Sequence, residues 1–118
     1  MILDTKTERI LAIILHMSGF LNGVLPLAIP GIIWYWKREE STFINMHGKE
    51  AINFQLSILL LIIGATTFVV LTIGIGALII APLVVIFGLL YIYWIVMAAI
   101  AASKGNYYQY PVVYRFLK

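Results

Sequence analysis

The chain has 118 residues, of which 63% are hydrophobic and only 11% charged, with a net charge of +3, a mean hydropathy of +1.01 and a pI near 9.3. A typical globular domain is about 25% charged, so too little polar surface remains here to solvate a separate soluble domain. The absence of cysteine excludes a disulfide framework, a thiolate nucleophile and a Cys-type zinc site. The basic residues fall in three short clusters rather than in the stripe that nucleic acid requires.

The first apolar block, residues 10–36, contains no charge if His16 is neutral. It begins after Asp4, Lys6, Glu8 and Arg9, is too long for a signal-peptide core and runs into Trp34-Tyr35-Trp36-Lys37-Arg38 rather than a small-residue cleavage site, so it reads as retained. Gly19, Asn22, Gly23 and Pro26 cluster at its centre. A proline inside a helix removes a hydrogen bond that lipid cannot replace, so two short helices are predicted, over residues 5–20 and 25–38. Thr5-Lys6-Thr7-Glu8 fits a capping box at the start of the first. Such pieces are only about 20–24 Å long, which predicts a short hairpin that reaches or nearly reaches the opposite membrane surface.

Residues 51–103 contain no Asp, Glu, Lys, Arg or His, a run about twice as long as one membrane crossing needs. As one helix it would extend roughly 80 Å, so it must turn back, and Gly74, Gly76 and Pro82 mark the place. Long helices are predicted over residues 42–72 and 77–103, followed by an interfacial tail over residues 104–118. The whole chain reads as a single membrane domain, all-α, with a short hairpin followed by two long transmembrane helices. With a hairpin upstream, all eight basic residues lie on one face and the two opposite turns carry none. The positive-inside rule then places both termini on the cytoplasmic side of a multi-pass protein of the cell membrane. Three spans with an external amino terminus is the alternative, with basic counts of two against six.

The most polar stretch bordering a membrane block is residues 47–57. At 100° per residue Glu50, Asn53 and Ser57 share one helix face and His47 extends it outward, with Gln55 nearby. In hydrocarbon such groups must face other helices or a wet cavity, which makes them interhelical glue or a polar vestibule for gating, substrate contact or docking. His16, about 10 Å deeper than Arg9 along a helix, needs a partner such as Ser18, Asn22 or Asn53. His16, His47, Glu50, Asn53, Gln55 and Ser57 are therefore the candidate functional residues. His47-x-x-Glu50 puts two metal-type ligands on adjacent turns, but no second strong ligand pair exists outside His16, so no metal or cofactor is expected. Trp34, Tyr35 and Trp36, and Tyr107, Tyr108, Tyr110 and Tyr114, sit beside basic residues as interface anchors do. Ala98, Ala99, Ala101, Ala102 and Ser103 offer a small-residue surface for a tight bundle or a homodimer. No serine has a His/Asp pattern around it, and no phosphate-binding glycine loop is present, so no enzyme is expected.

His16-Met17-Ser18, Pro30 with Ile32-Ile33-Trp34 and Lys37-Arg38, Ser41-Thr42-Phe43-Ile44, the segment His47 to Ser57, and Ala102 to Pro111 with its Tyr110-Pro111 stand in an order that resembles a family of small prokaryotic membrane proteins. That family is related to the Tic-type twenty-kilodalton channel component of the chloroplast inner-envelope translocon. The resemblance implies a four-helix membrane fold with both ends on one side. It also implies a non-enzymatic, channel-like or protein-translocation accessory subunit. A small-solute or ion permease using His16, Asn53, Gln55 and Ser57 is one alternative, and a structural or stress-response membrane protein without a pore is another. The expected partners are the lipid bilayer and either further copies of the chain or another membrane protein, with no nucleic acid.

Overall fold

A computed structural model describes residues 4–111 and 113–118 of the chain. Four α-helices follow one another: α1 (Thr5–Met17), α2 (Leu25–Lys37), α3 (Thr42–Leu71) and α4 (Ala77–Ser103). A 3-10 turn, Ser18–Phe20, follows α1, so the first helix ends three residues before the predicted position. The Ser18 hydroxyl donates back to the Leu15 carbonyl at 2.9 Å, which tightens the chain just before Gly19. The particle is elongated, 55 × 23 × 22 Å.

The start of α1 departs from the predicted capping box. Asp4, not Thr5, is the cap, its Oδ1 accepting the Thr7 N–H at 2.7 Å. A carboxylate there is a strong acceptor and places negative charge at the positive end of the helix dipole. Glu8 is thereby freed to accept the Ser41 hydroxyl. Ser41 Oγ in turn accepts the Ile44 N–H at 3.1 Å and caps α3, so one contact ties the starts of α1 and α3 together.

At 1.5 Å per residue α1 and α2 are each only about 20 Å long. Their connection meets Tyr91 of α4 at the Gly19 carbonyl, and its Leu21 and Val24, with Pro26, line one pocket together with Gln55, Ile58 and Ile62 of α3. It therefore stops near the middle of α3 instead of nearly reaching the opposite end. Residues 63–71 carry α3 roughly 14 Å further. The near half of the molecule is packed: Ala12, Leu15, Phe43, Ile44, Ala51 and Ala102 form one buried cluster, and Phe54, Ile95, Ala98 and Tyr110 another. Ala98 and Ala102 are fully buried, so the small-residue face of α4 is used within the chain. Gly48 permits a close approach of α2 to α3, because a β-carbon there would stand 2.6–2.9 Å from the Trp34 side chain of α2.

Beyond the short hairpin, α3 and α4 continue as an apolar pair with little cover. Only 11% of the most apolar stretch of α3 and 17% of that of α4 are buried, which is unlike the core helix of a soluble protein. Both helices are long and apolar enough to cross a membrane. The turn joining them bends through Ile73 (φ 55°) and Gly74 (φ 83°), and Thr72 Oγ1 accepts the Gly76 N–H at 2.8 Å. That hydroxyl satisfies a backbone group that apolar surroundings would leave unpaired. Pro82 lies inside α4 rather than at its start, in the second turn, where few upstream hydrogen bonds are lost.

Candidate functional site

The polar residues of α3 converge on a partner that helix periodicity alone does not suggest, the main chain of the carboxyl-terminal tail. Past Ser103 the tail turns at Gly105 (φ 78°) and runs back along α3. His47 Nε2 meets the Asn106 carbonyl at 2.8 Å, and Glu50 Oε1 accepts the Tyr110 N–H at 2.6 Å. Ser57 Oγ accepts the Tyr114 N–H at 3.0 Å. Asn53 clamps Leu117 from both sides, donating to its carbonyl at 2.9 Å and accepting its N–H at 2.8 Å. Lys49 reaches the Lys118 carbonyl at 3.0 Å. Because these side chains share one helix face, a single stripe satisfies the backbone of an irregular segment, which low-dielectric surroundings would otherwise penalise.

His16 joins the same system from α1. Its Nδ1 lies 2.8 Å from the Tyr110 hydroxyl and its Nε2 lies 2.8 Å from His47 Nδ1. All three side chains are buried, Tyr110 being 3% exposed. The tautomers follow from the far end of this chain of bonds. A carbonyl only accepts, so His47 Nε2 carries the proton that points at Asn106. With one proton on each ring, His47 Nδ1 accepts from His16 Nε2–H, and His16 Nδ1 accepts from the Tyr110 hydroxyl. Donation thus runs in one direction, from Tyr110 through His16 and His47 to Asn106. Burial, with Tyr108, Tyr91 and Glu50 acting in the same sense, raises the Tyr110 phenol above its ordinary value, so it stays a donor. Its ring stacks on Phe54, with centroids 4.0 Å apart and planes inclined by 10°.

Gln55 stands apart from this seam. It points to α4, where its Nε2 donates to the Tyr91 hydroxyl at 3.0 Å while that hydroxyl donates to the Gly19 carbonyl at 2.6 Å. It therefore pins the tip of the short hairpin to the long one. Of the six residues singled out from sequence, His16, His47, Glu50, Asn53 and Ser57 form one network and Gln55 belongs to a second. His16 bonds neither Ser18, Asn22 nor Asn53. Sequence reasoning missed Tyr110 and Arg115, whose guanidinium lies 2.9 Å from Glu50 Oε1. Tyr110 is a buried hydrogen-bonding residue and not an interface anchor, whereas Tyr107 and Tyr114 are more than half exposed. The one available signal was the spacing of aromatics in an otherwise irregular tail. Among the described residues no group of three or more metal-type side chains is gathered. Chemically, the arrangement suits holding a tail in place and relaying hydrogen-bond polarity over a short distance.

Residues 7–117 match the model of the magnetosome magnetite crystal formation protein family. The chain belongs to that family. This match corrects the resemblance to the translocon-related family: the motifs that suggested it coincide here with helix ends and with the seam that binds the tail, features of this architecture rather than marks of a translocon component. No curated protein matches the chain, and no solved structure does.

Proposed function

We propose that the chain is a non-enzymatic structural protein of the membrane around a forming magnetite crystal, one membrane unit inserted through α3 and α4. Membership of the crystal-formation family supports the setting, and two exposed apolar helices support the insertion. Both ends are assigned to the cytoplasmic side, because Lys6, Arg9, Lys37, Arg38, Lys49, Lys104, Arg115 and Lys118 all belong to one end of the bundle while the turns at residues 21–24 and 72–76 carry no charge. The five acidic residues, Asp4, Glu8, Glu39, Glu40 and Glu50, belong to that same end. In this orientation the far turns offer a mineral surface no carboxylate, so the contribution to crystal formation passes through the membrane or through partner proteins, further copies of the chain among them.

The observation that carries the structural reading is the seam itself. His47, Glu50, Asn53 and Ser57 are committed to the main chain of the tail, and Gln55 to Tyr91. Those are the groups that a permease or translocation path would need free. Proteoliposomes containing the purified chain, loaded with ion-sensitive dyes, test the reading. Leakage equal to that of empty vesicles is expected. Flux that is abolished by Asn53→Leu would replace the structural reading with a permease.

A further inference from the structure

One corner of the near end is built around a cation that the described residues leave unsatisfied. Arg9 Nε, in α1, is buried and has no hydrogen-bond partner among the described residues. The ion pairs among those residues, Lys37–Glu40 and Arg115–Glu50, lie elsewhere, and the two acidic residues closest to Arg9 in sequence are engaged, Asp4 by the Thr7 amide and Glu8 by the Ser41 hydroxyl. The guanidinium packs against the turn after α4, where a β-carbon at residue 105 would stand 2.6 Å from Arg9 Nη2 and 3.1 Å from Nε. Lys104 adjoins that glycine and Lys6 lies one turn before Arg9 on α1, both exposed. Lys6 and Arg9 also crowd positive charge into the first turns of α1, where the helix dipole is already positive. Just along α1 from this corner, Ile10 and Ile14 are exposed apolar surface.

We infer that Lys6, Arg9 and Lys104 form a binding site for the phosphate of an anionic phospholipid, whose acyl chains lie along the apolar surface of α1. In this site the three cations would share one anionic head, and the anion would supply an acceptor that the described residues do not give Arg9. Arg serves this role well because its planar fork gives several donors to one phosphate. A free phosphate offers the same head chemistry without the chains, and the apolar face beside the cations favours the lipid. The inference rests on the membrane placement proposed above and is independent of any role in crystal formation.

Native mass spectrometry of the chain released from detergent tests it, with phosphatidylglycerol, phosphatidylcholine and inorganic phosphate as probes. Phosphatidylglycerol is expected to be retained in preference to phosphatidylcholine, with inorganic phosphate at equal concentration failing to displace it. Arg9→Gln and Lys104→Gln should each weaken retention about fivefold, the effect of one basic residue near an anionic surface, whereas Arg38→Gln, which removes a guanidinium stacked over Trp34 and Tyr35, should leave it unchanged. The exposed Lys104 carries the test if the Arg9 variant does not fold. Equal retention of the two lipids, displacement by inorganic phosphate, parental retention in the folded variants, or an equal loss in Arg38→Gln would each overturn the site. Failure of the parent chain to float with phosphatidylglycerol vesicles would count instead against the membrane placement itself.

Discussion

Replacing His16 by Leu should do more damage than the loss of one side chain of that size implies. The imidazole accepts from Tyr110 and donates to His47, so Leu leaves a buried hydroxyl without an acceptor and a buried ring nitrogen without a donor. At about 1–3 kcal/mol for each of the two orphaned groups, the loss should be roughly 2–6 kcal/mol, towards the lower end if the detergent-unfolded state finds partners of its own. Gln offers both a donor and an acceptor, and His16→Gln should lose less than half as much. The sharper test is a sign change at Tyr110. In the parent, Tyr110→Phe removes a satisfied bond and should destabilise by about 1 kcal/mol. In the His16→Leu background the same change removes an orphaned hydroxyl and should stabilise by about 1 kcal/mol. Titration with dodecyl sulfate in dodecylmaltoside micelles, followed by tryptophan fluorescence, gives all four corners of this cycle. If Tyr110→Phe costs the same in both backgrounds, the bonded chain from Tyr110 to His47 does not hold the fold together.

Single cysteines at Thr5, Glu39, Ile75 and Asn106 should react with an impermeant thiol reagent applied from the non-cytoplasmic side only at Ile75; reaction at Thr5 from that side would reject the common location of the ends. Glu39 and Ile75 are exposed, whereas neighbouring Ser41 is buried against Glu8 and a side chain at Gly76 would strike Thr72 and Phe68. Gly48→Ala should destabilise the bundle by about 1–3 kcal/mol through overpacking against Trp34, and Trp34→Ala in the same chain should recover part of that loss, a rescue readable in the same dodecyl sulfate titration. Hydrogen bonding to the carboxylate from the Thr7 side chain, and then from the Thr7 amide, holds Asp4 below the ordinary aspartate pKa. Its contribution to the start of α1 is therefore complete above the unfolded value and is lost as pH falls through the folded one, so amide exchange at Thr7 should rise on acidification in the parent and be pH-independent, beyond intrinsic exchange, in Asp4→Asn.

Helix number and order were legible because their signals are one-dimensional. A run of residues 51–103 without a charge has to turn back, and the glycines at 74 and 76 mark where. The stripe of His47, Glu50, Asn53 and Ser57 was legible for the same reason, since helical periodicity alone puts them on one face. Their partner was not. The tail has no period, and main-chain groups, identical in every residue, leave no trace in sequence of which side chain will hold them. His16 illustrates the same limit: its need for a partner followed from hydropathy, but the choice of His47 and Tyr110 over Asn53 depends on how α1 and the tail pack against α3. The short hairpin reached only the middle of α3 because its position is set by the Tyr91, Gln55 and Gly19 contacts, which length does not encode. The family resemblance failed because it rested on short motifs, which in this chain fall at helix ends and on the seam that holds the tail, whereas the family match spans residues 7–117.

The central claim is that the chain's contribution to crystal formation depends on the tail held on the polar face of α3 by Asn53 and Ser57. Its most direct test is the size distribution of magnetite crystals, measured by electron microscopy, in a magnetite-forming host whose own copy is replaced by the Asn53→Leu, Ser57→Ala double variant, at membrane levels matched by immunoblot. The account predicts crystals indistinguishable from those of a strain lacking the chain; crystals indistinguishable from those of the parent would contradict it.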